Sequence, residues 1–232
     1  MKDQYFGDIN DYWKYGLLRV LANQSSFRTG VCWMLTPDDE TRDGERRRYF
    51  DRPNEYERFD APLFNKLCDW ELANGRRSVG LFAQARLLKH ACYWDRRVPR
   101  LVSQREQWLE EMCDRFAGTD LVFFDPDNGL EVKSTPWQRT ASPKHLYWRE
   151  LERVFQRGHS LLVFQHFGRV RRDEFVAHLK RELKRRTGCP SALALHTSHV
   201  VFLLASQKGH QTRLAQAVRE VKNKWRGEIW LQ

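Results

Sequence analysis

The apolar positions of this chain fall into two spacings that alternate along most of its length. Trp13, Leu17, Leu18 and Leu21 recur at helical intervals and predict a helix over about 11–22. A short unbroken apolar run, TGVCWML at 29–35, follows as a buried strand and stops abruptly at Thr36-Pro37-Asp38-Asp39-Glu40. Residues 41–60 are strongly charged and read as loop. Leu63, Phe64, Leu67 and Cys68 then predict a helix over 62–72, and 79–83 and 91–94 are slighter strand candidates. Beyond residue 100 the alternation is regular. A helical stripe of Trp108, Leu109, Met112, Cys113 and Phe116 leads to a strand at 121–124, a helix at 146–156 leads to a strand at 160–164, and a third helix spans about 173–186 on Phe175, Leu179 and Leu183. Two strands, 192–196 and 200–205, flank Thr197-Ser198-His199, and a last helix carries Leu214, Val218, Val221 and Trp225. Strands alternating with helices predict a mainly parallel sheet covered on both faces, and the closely joined final pair predicts an antiparallel edge. The expectation is one three-layer α/β domain over 1–232 with a Rossmann-like, mainly parallel sheet and a C-terminal antiparallel strand pair.

Composition narrows the class. With 41% hydrophobic and 13% aromatic residues, the 232-residue chain can bury a large core, which argues against disorder. No apolar run approaches the roughly 20 residues of a membrane span, and the opening MKDQYFGDINDYW is acidic and aromatic, unlike a signal peptide. The five cysteines are scattered without a C-x-x-C pair, which predicts neither a disulfide framework nor a structural zinc site. A reducing cytoplasm is the expected setting. The net charge of +10 favours a polyanionic partner such as nucleic acid. Basic residues concentrate at 169–186, eight against three acidic, and in DGERRR at 43–48.

Three predicted strands end in polar clusters: Thr36 to Glu40, Asp125 to Glu131, and Gln165-His166. In a parallel sheet these ends share one edge, where open α/β folds bind ligands. Asp8, Asn10, Asp11 and Lys14 form a fourth polar group near the chain start. Asp, Pro, Asn and Gly are also ordinary turn formers, so it is the convergence of three clusters that points to a site. His166 is the candidate general base. His196 and His199 read as structural, Ser198 lacks a nucleophile-elbow context, and Tyr147 and Trp148, with Lys144 nearby, could stack on or contact a nucleotide, although packing of the helix they begin is the commoner explanation.

The stretches YFGDINDYWKYGLLR, GVCWMLTPDD, LVFFDPDNGLE, SLLVFQHF and HVVFLL together resemble a family of bacterial proteins of similar length that carries no assigned activity. At greater distance the strand order resembles class I methyltransferases of the ribosomal-RNA adenine-N6 type, including the late hairpin. Asn10, Asp11 and Lys14 take the place of those enzymes' N-terminal motif, and Asp125-Pro126 the start of their D/N-P-P-Y/F/W motif, with Asp127 and Asn128 replacing the second proline and the aromatic. This resemblance implies that Asp125 and the Pro126 carbonyl orient an exocyclic amine, with Asp127 and Asn128 as secondary contacts. It places Lys14, Asp38 and Asp39 near S-adenosylmethionine, and Asp11, Gln165, Arg169, Arg171 and Arg172 near a nucleic-acid substrate. One departure stands out: Thr36-Pro37-Asp38 occupies the position of the cofactor's glycine-rich turn, and Gly44 is the first glycine after it.

A rival reading uses the same residues. Asp38, Asp39, Asp125, Asp127 and Glu131, with Asn128 and His166, are hard ligands suited to Mg²⁺ or Mn²⁺ in a metal-dependent nuclease or phosphohydrolase. Glu131-x-Lys133 matches part of a restriction-nuclease element, but Pro126-Asp127 lies too close before it. A third reading is a catalytically silent nucleic-acid-binding module.

Overall fold

The Asp8 carboxylate accepts the Asn10 backbone N–H and so starts the first helix, α1 (Ile9–Ser25), which ends where Ser26 turns left-handed at φ 55°. A computed structural model describes residues 1–73, 75 and 77–232. After α1 come β1 (Thr29–Cys32), α2 (Pro53–Tyr56), α3 (Ala61–Leu72), α4 (Gly80–Gln84), β2 (Ala91–Trp94), α5 (Val102–Arg115) and β3 (Leu121–Phe124). The second half contains β4 (Gly129–Leu130), β5 (His145–Leu146), α6 (Trp148–Gln156), β6 (Ser160–His166), α7 (Arg172–Thr187), β7 (Ser191–His196), β8 (Val200–Ser206), α8 (Gln211–Lys224) and β9 (Trp230–Leu231).

Seven strands form one sheet in the order β2-β1-β3-β6-β8-β7-β9, and β4 and β5 make a separate parallel ribbon. The pairs β1–β2, β1–β3 and β3–β6 are parallel; β8 runs antiparallel between β6 and β7. β1 and β3 are buried at every residue because both faces of the sheet are covered. On one face lies a core that includes Leu17 and Leu21 of α1, Leu63 and Phe64 of α3, Phe82 of α4 and Val218 of α8. On the other lie Trp108 and Met112 of α5, Leu151 of α6, and Val176 and Leu183 of α7. The result is a mixed α/β protein with a mostly parallel central sheet between helical layers. No described helix is long and apolar enough to cross a membrane.

Several expectations are corrected here. Residues 80–83 belong to α4 rather than a strand, with Val79 as its N-cap: Val79 and Phe82 are buried three apart, a spacing too short in extent to reveal its period. The charged stretch 41–60 contains α2 and 3-10 turns at Arg48–Asp51 and Glu57–Phe59, fastened by the buried aromatics Tyr49, Tyr56 and Phe59. The helix expected at 146–156 begins at Trp148, because Tyr147 stays extended and its N–H is accepted by Glu150 at 3.0 Å. β1 stops at Cys32, where Met34 takes φ 47°, although Leu35 still pairs with Arg97. β6 continues through Gln165 and His166, which therefore lie inside the strand. On α7 the buried stripe is Val176, Leu179 and Leu183, with Phe175 only half-buried.

Candidate functional site

β1, β3 and β6 run in the same direction, so their polar ends emerge together, and the chain leaves β1 toward β2 on one side with β3 on the other. Such a switch point is where open α/β sheets take ligands. A cavity of about 430 Å³ lies at this edge. The start of α1 lines it with Asp8, Asn10, Asp11 and Lys14, and β6 with Phe164 and His166. The loop after β3 contributes all four of Asp125, Pro126, Asp127 and Asn128.

Lys14 is the centre of the electrostatics. Its Nζ lies 2.8 Å from Asp11 Oδ1 and 2.7 Å from Asp125 Oδ2, with all three side chains at most 3% exposed. Burial alone would depress the ammonium, but the Asp11 and Asp125 charges outweigh it and hold Lys14 above the ordinary lysine range. Burial pushes the Asp11 carboxyl up to about 6, against the pull of Lys14. One oxygen of Asp125 is thus engaged, while its other oxygen has no protein donor among the described residues. His166 is exposed at the rim; crowding by protein, and then the Lys14 charge, keeps its pKa below the ordinary histidine value.

The loop that presents Asp125 is held from three directions. The Asp125 N–H donates to Cys32 O at 3.0 Å and the Asn128 N–H to Lys144 O at 2.7 Å. Gln165 accepts the Leu130 N–H at 2.7 Å and donates to the His166 carbonyl, also at 2.7 Å. Gly129 has φ 90°, and a Cβ there would stand 2.4 Å from Gln165 Oε1. Gly129→Ala should therefore destabilise the fold by about 2–3 kcal/mol, summing left-handed strain and the loss of the Gln165–Leu130 bond. Urea unfolding checks this; a change below about 0.5 kcal/mol would mean that Gln165 yields freely. Asp127 accepts from Thr36 Oγ1 at 3.2 Å and has Lys144 Nζ at 3.8 Å.

One support escaped the sequence reading. Arg105 is fully buried and donates to both Glu150 oxygens, at 2.6 and 2.8 Å, and to the carbonyls of Ser142 and His145, each at 2.6 Å. It fixes the strap whose Lys144 carbonyl receives Asn128. A signal was present: Arg105 continues the apolar stripe of Trp108, Leu109 and Met112 one helical turn back, where a charge needs a buried partner.

The crevice directly outside β1 is filled by the chain itself. The Met1 backbone nitrogen donates to Met34 O at 3.3 Å and Asp125 O at 3.2 Å, and the Thr36 N–H donates to Met1 O at 2.9 Å. Asp39 is bound by Lys2, and Asp38 accepts the Gln4 N–H at 3.1 Å. Gly44, at φ 85°, is needed against this N-terminal segment, since a Cβ would fall 2.6 Å from Tyr5 Cα.

Asp11, Lys14, Asp125, Pro126, Asp127, Asn128 and His166 are therefore brought together at the cavity. The others are not. Asp38 and Asp39 fasten the N-terminal segment, and Gln165 clamps the loop. Glu131 caps α6 by accepting the Trp148 N–H at 2.9 Å. Arg169, Arg171 and Arg172 are exposed outside the cavity, Arg171 pairing with Asp173 at 2.8 Å. Tyr147 and Trp148 are core residues. Among the described residues no three of His, Cys, Asp and Glu converge as a metal-ligand set.

Fold and site together define a mixed α/β protein with a polar pocket at the carboxyl edge of a mostly parallel sheet. No family model matches the chain, and no curated protein matches it. Among solved structures, the crystal structure of protein LPL1258 from Legionella pneumophila str. Philadelphia 1, family DUF519, is similar over 97% of this chain and 96% of its own, with a TM-score of 0.46 and 10% identity.

Proposed function

We propose that this chain is a nucleic-acid-modifying protein of methyltransferase-like build whose pocket receives a base bearing an exocyclic amine. The Lys14–Asp125 pair carries the reading. The lysine fixes one carboxylate oxygen at 2.7 Å, and the second oxygen has no protein donor among the described residues, on a side chain that lines the cavity wall together with Pro126. A carboxylate oxygen and a neighbouring carbonyl suit the two N–H groups of an amine and leave its nitrogen lone pair free to react. Tyr5, Phe164 and His166 add aromatic surface, and about 430 Å³ suits a nucleoside-sized group. The position of the loop, after the strand beside the switch point, and the late antiparallel strand β8 support the same build.

S-adenosylmethionine does not fit the place that the resemblance implies. No glycine turn follows β1, and Met1 occupies the crevice, so no step is assigned to that cofactor. The nuclease reading is less well supported than amine recognition: one oxygen of Asp125 is paired with Lys14, Asp39 is paired with Lys2, and Glu131 is engaged at α6.

Calorimetry with nucleosides tests the pocket. Adenosine and cytidine should bind at least about tenfold tighter than inosine and uridine, because a site built for N–H groups is left unpaired by their carbonyl counterparts. Asp125→Asn should weaken adenosine about tenfold by removing the charged acceptor. Equal affinity within each pair, or an Asp125→Asn protein that binds adenosine undiminished, would sink the reading. Tighter binding of S-adenosylmethionine than of adenosine would restore the cofactor.

A further inference from the structure

We infer that a groove beside the pocket binds the nucleotides flanking the base, which makes the partner single-stranded nucleic acid; this rests on the pocket being a base site. A second cavity of about 490 Å³ shares Arg46 with the first. Its walls combine arginines with aromatic rings. Trp230 is 43% exposed and stacks on His196 with centroids 5.8 Å apart. His199 stacks on the buried Trp13 at 6.1 Å. Arg46, Arg48 and Arg52 are all exposed along the rim. Arg46 lies 3.7 Å from Asp8 and Arg52 pairs with Glu55 at 3.1 Å, whereas Arg48 has no acidic partner among the described residues. Glu45 and Glu228 also line the groove; Glu228 accepts from Trp13 Nε1 at 3.1 Å, and burial raises its pKa.

Arginines for phosphates and flat rings for unstacked bases are the chemistry of a single strand, not of a duplex whose bases are paired. The DGERRR cluster of the sequence finds its use here. On the basic helix α7, Arg185 and Arg186 pair with Glu182 and Glu152, while Arg172, Arg181 and Lys184 have no acidic partner among the described residues; what distinguishes the groove is its aromatic lining beside the base pocket.

The test is fluorescence anisotropy with a labelled single-stranded RNA or DNA of about ten nucleotides, and with its duplex. Arg48→Glu and Trp230→Ala lie outside the base pocket. Each should weaken the single strand about tenfold, with Arg48→Glu flattening the log–log salt slope by about 0.7. Adenosine affinity and melting temperature should stay unchanged in both. Undiminished strand affinity in both variants, or a duplex bound as tightly as the single strand, overturns the groove. Should adenosine fail to bind the wild type while strand binding still depends on Arg48 and Trp230, the groove stands and the pocket reading falls.

Discussion

Replacing Lys14 by methionine should destabilise the protein by about 3–5 kcal/mol at neutral pH. Methionine fills much of the lysine's volume, so the effect is electrostatic. It leaves Asp11 and Asp125, both at most 2% exposed, without the ammonium that now lies within 2.8 Å of each. The pH dependence identifies the cause. In the wild type the Asp11 carboxyl is raised to about 6, so its contribution is complete below the ordinary aspartate value of 3.8 and is lost as pH rises through about 6. Lys14 is itself raised, so its contribution is complete below the ordinary lysine value of 10.5 and constant through this window. Without the ammonium, protonation of Asp11 becomes more favourable still, and the variant should recover stability on acidification. Urea unfolding near pH 5 and near pH 8 should show the gap to wild type narrowing at the lower pH. A gap independent of pH would point to packing, and a variant as stable as wild type would mean that water reaches the carboxylates.

The periodicity that predicted the layers worked because most elements bury a single face or both faces cleanly. β1, β3 and the stripes of α5 and α8 are legible for that reason. Residues 79–83 were not, since five residues do not span enough turns to separate the two periods. The site was half legible. Polar residues at the ends of β3 and β6 mark the carboxyl edge in any parallel sheet, so Asp125 and His166 could be placed together from pattern alone. What the pattern could not supply was partnership. Asp38 and Asp39 look like ligands in the sequence, but nothing there shows that Lys2 and Gln4 fold back onto them. Gln165 looks like a substrate contact, yet its role follows from Gly129, whose missing Cβ lets the amide reach Leu130. These are contacts across 34 to 37 residues, set by chain path and not by spacing.

Arg105→Leu should cost a similar amount, about 3–5 kcal/mol, and should also disable the pocket. The substitution strands the Glu150 carboxylate in the core, with only the Tyr147 N–H left to it at 3.0 Å, and removes the donors to Ser142 and His145. The two consequences can be separated. In the double variant Arg105→Leu/Glu150→Leu the unpaired charge is gone, and apolar side chains replace a buried ion pair, which is often neutral for stability. Urea unfolding should therefore show the double variant recovering part of the loss. Adenosine affinity should stay weak in both, because residues 142–147 no longer hold Lys144 where its carbonyl receives Asn128, and the Asp125 loop loses one of its restraints. A single variant within about 1 kcal/mol of wild type would show the pair to be dispensable. Full binding by the double variant would show that the loop is ordered without the strap, leaving the Cys32 and Gln165 contacts sufficient to hold Asp125.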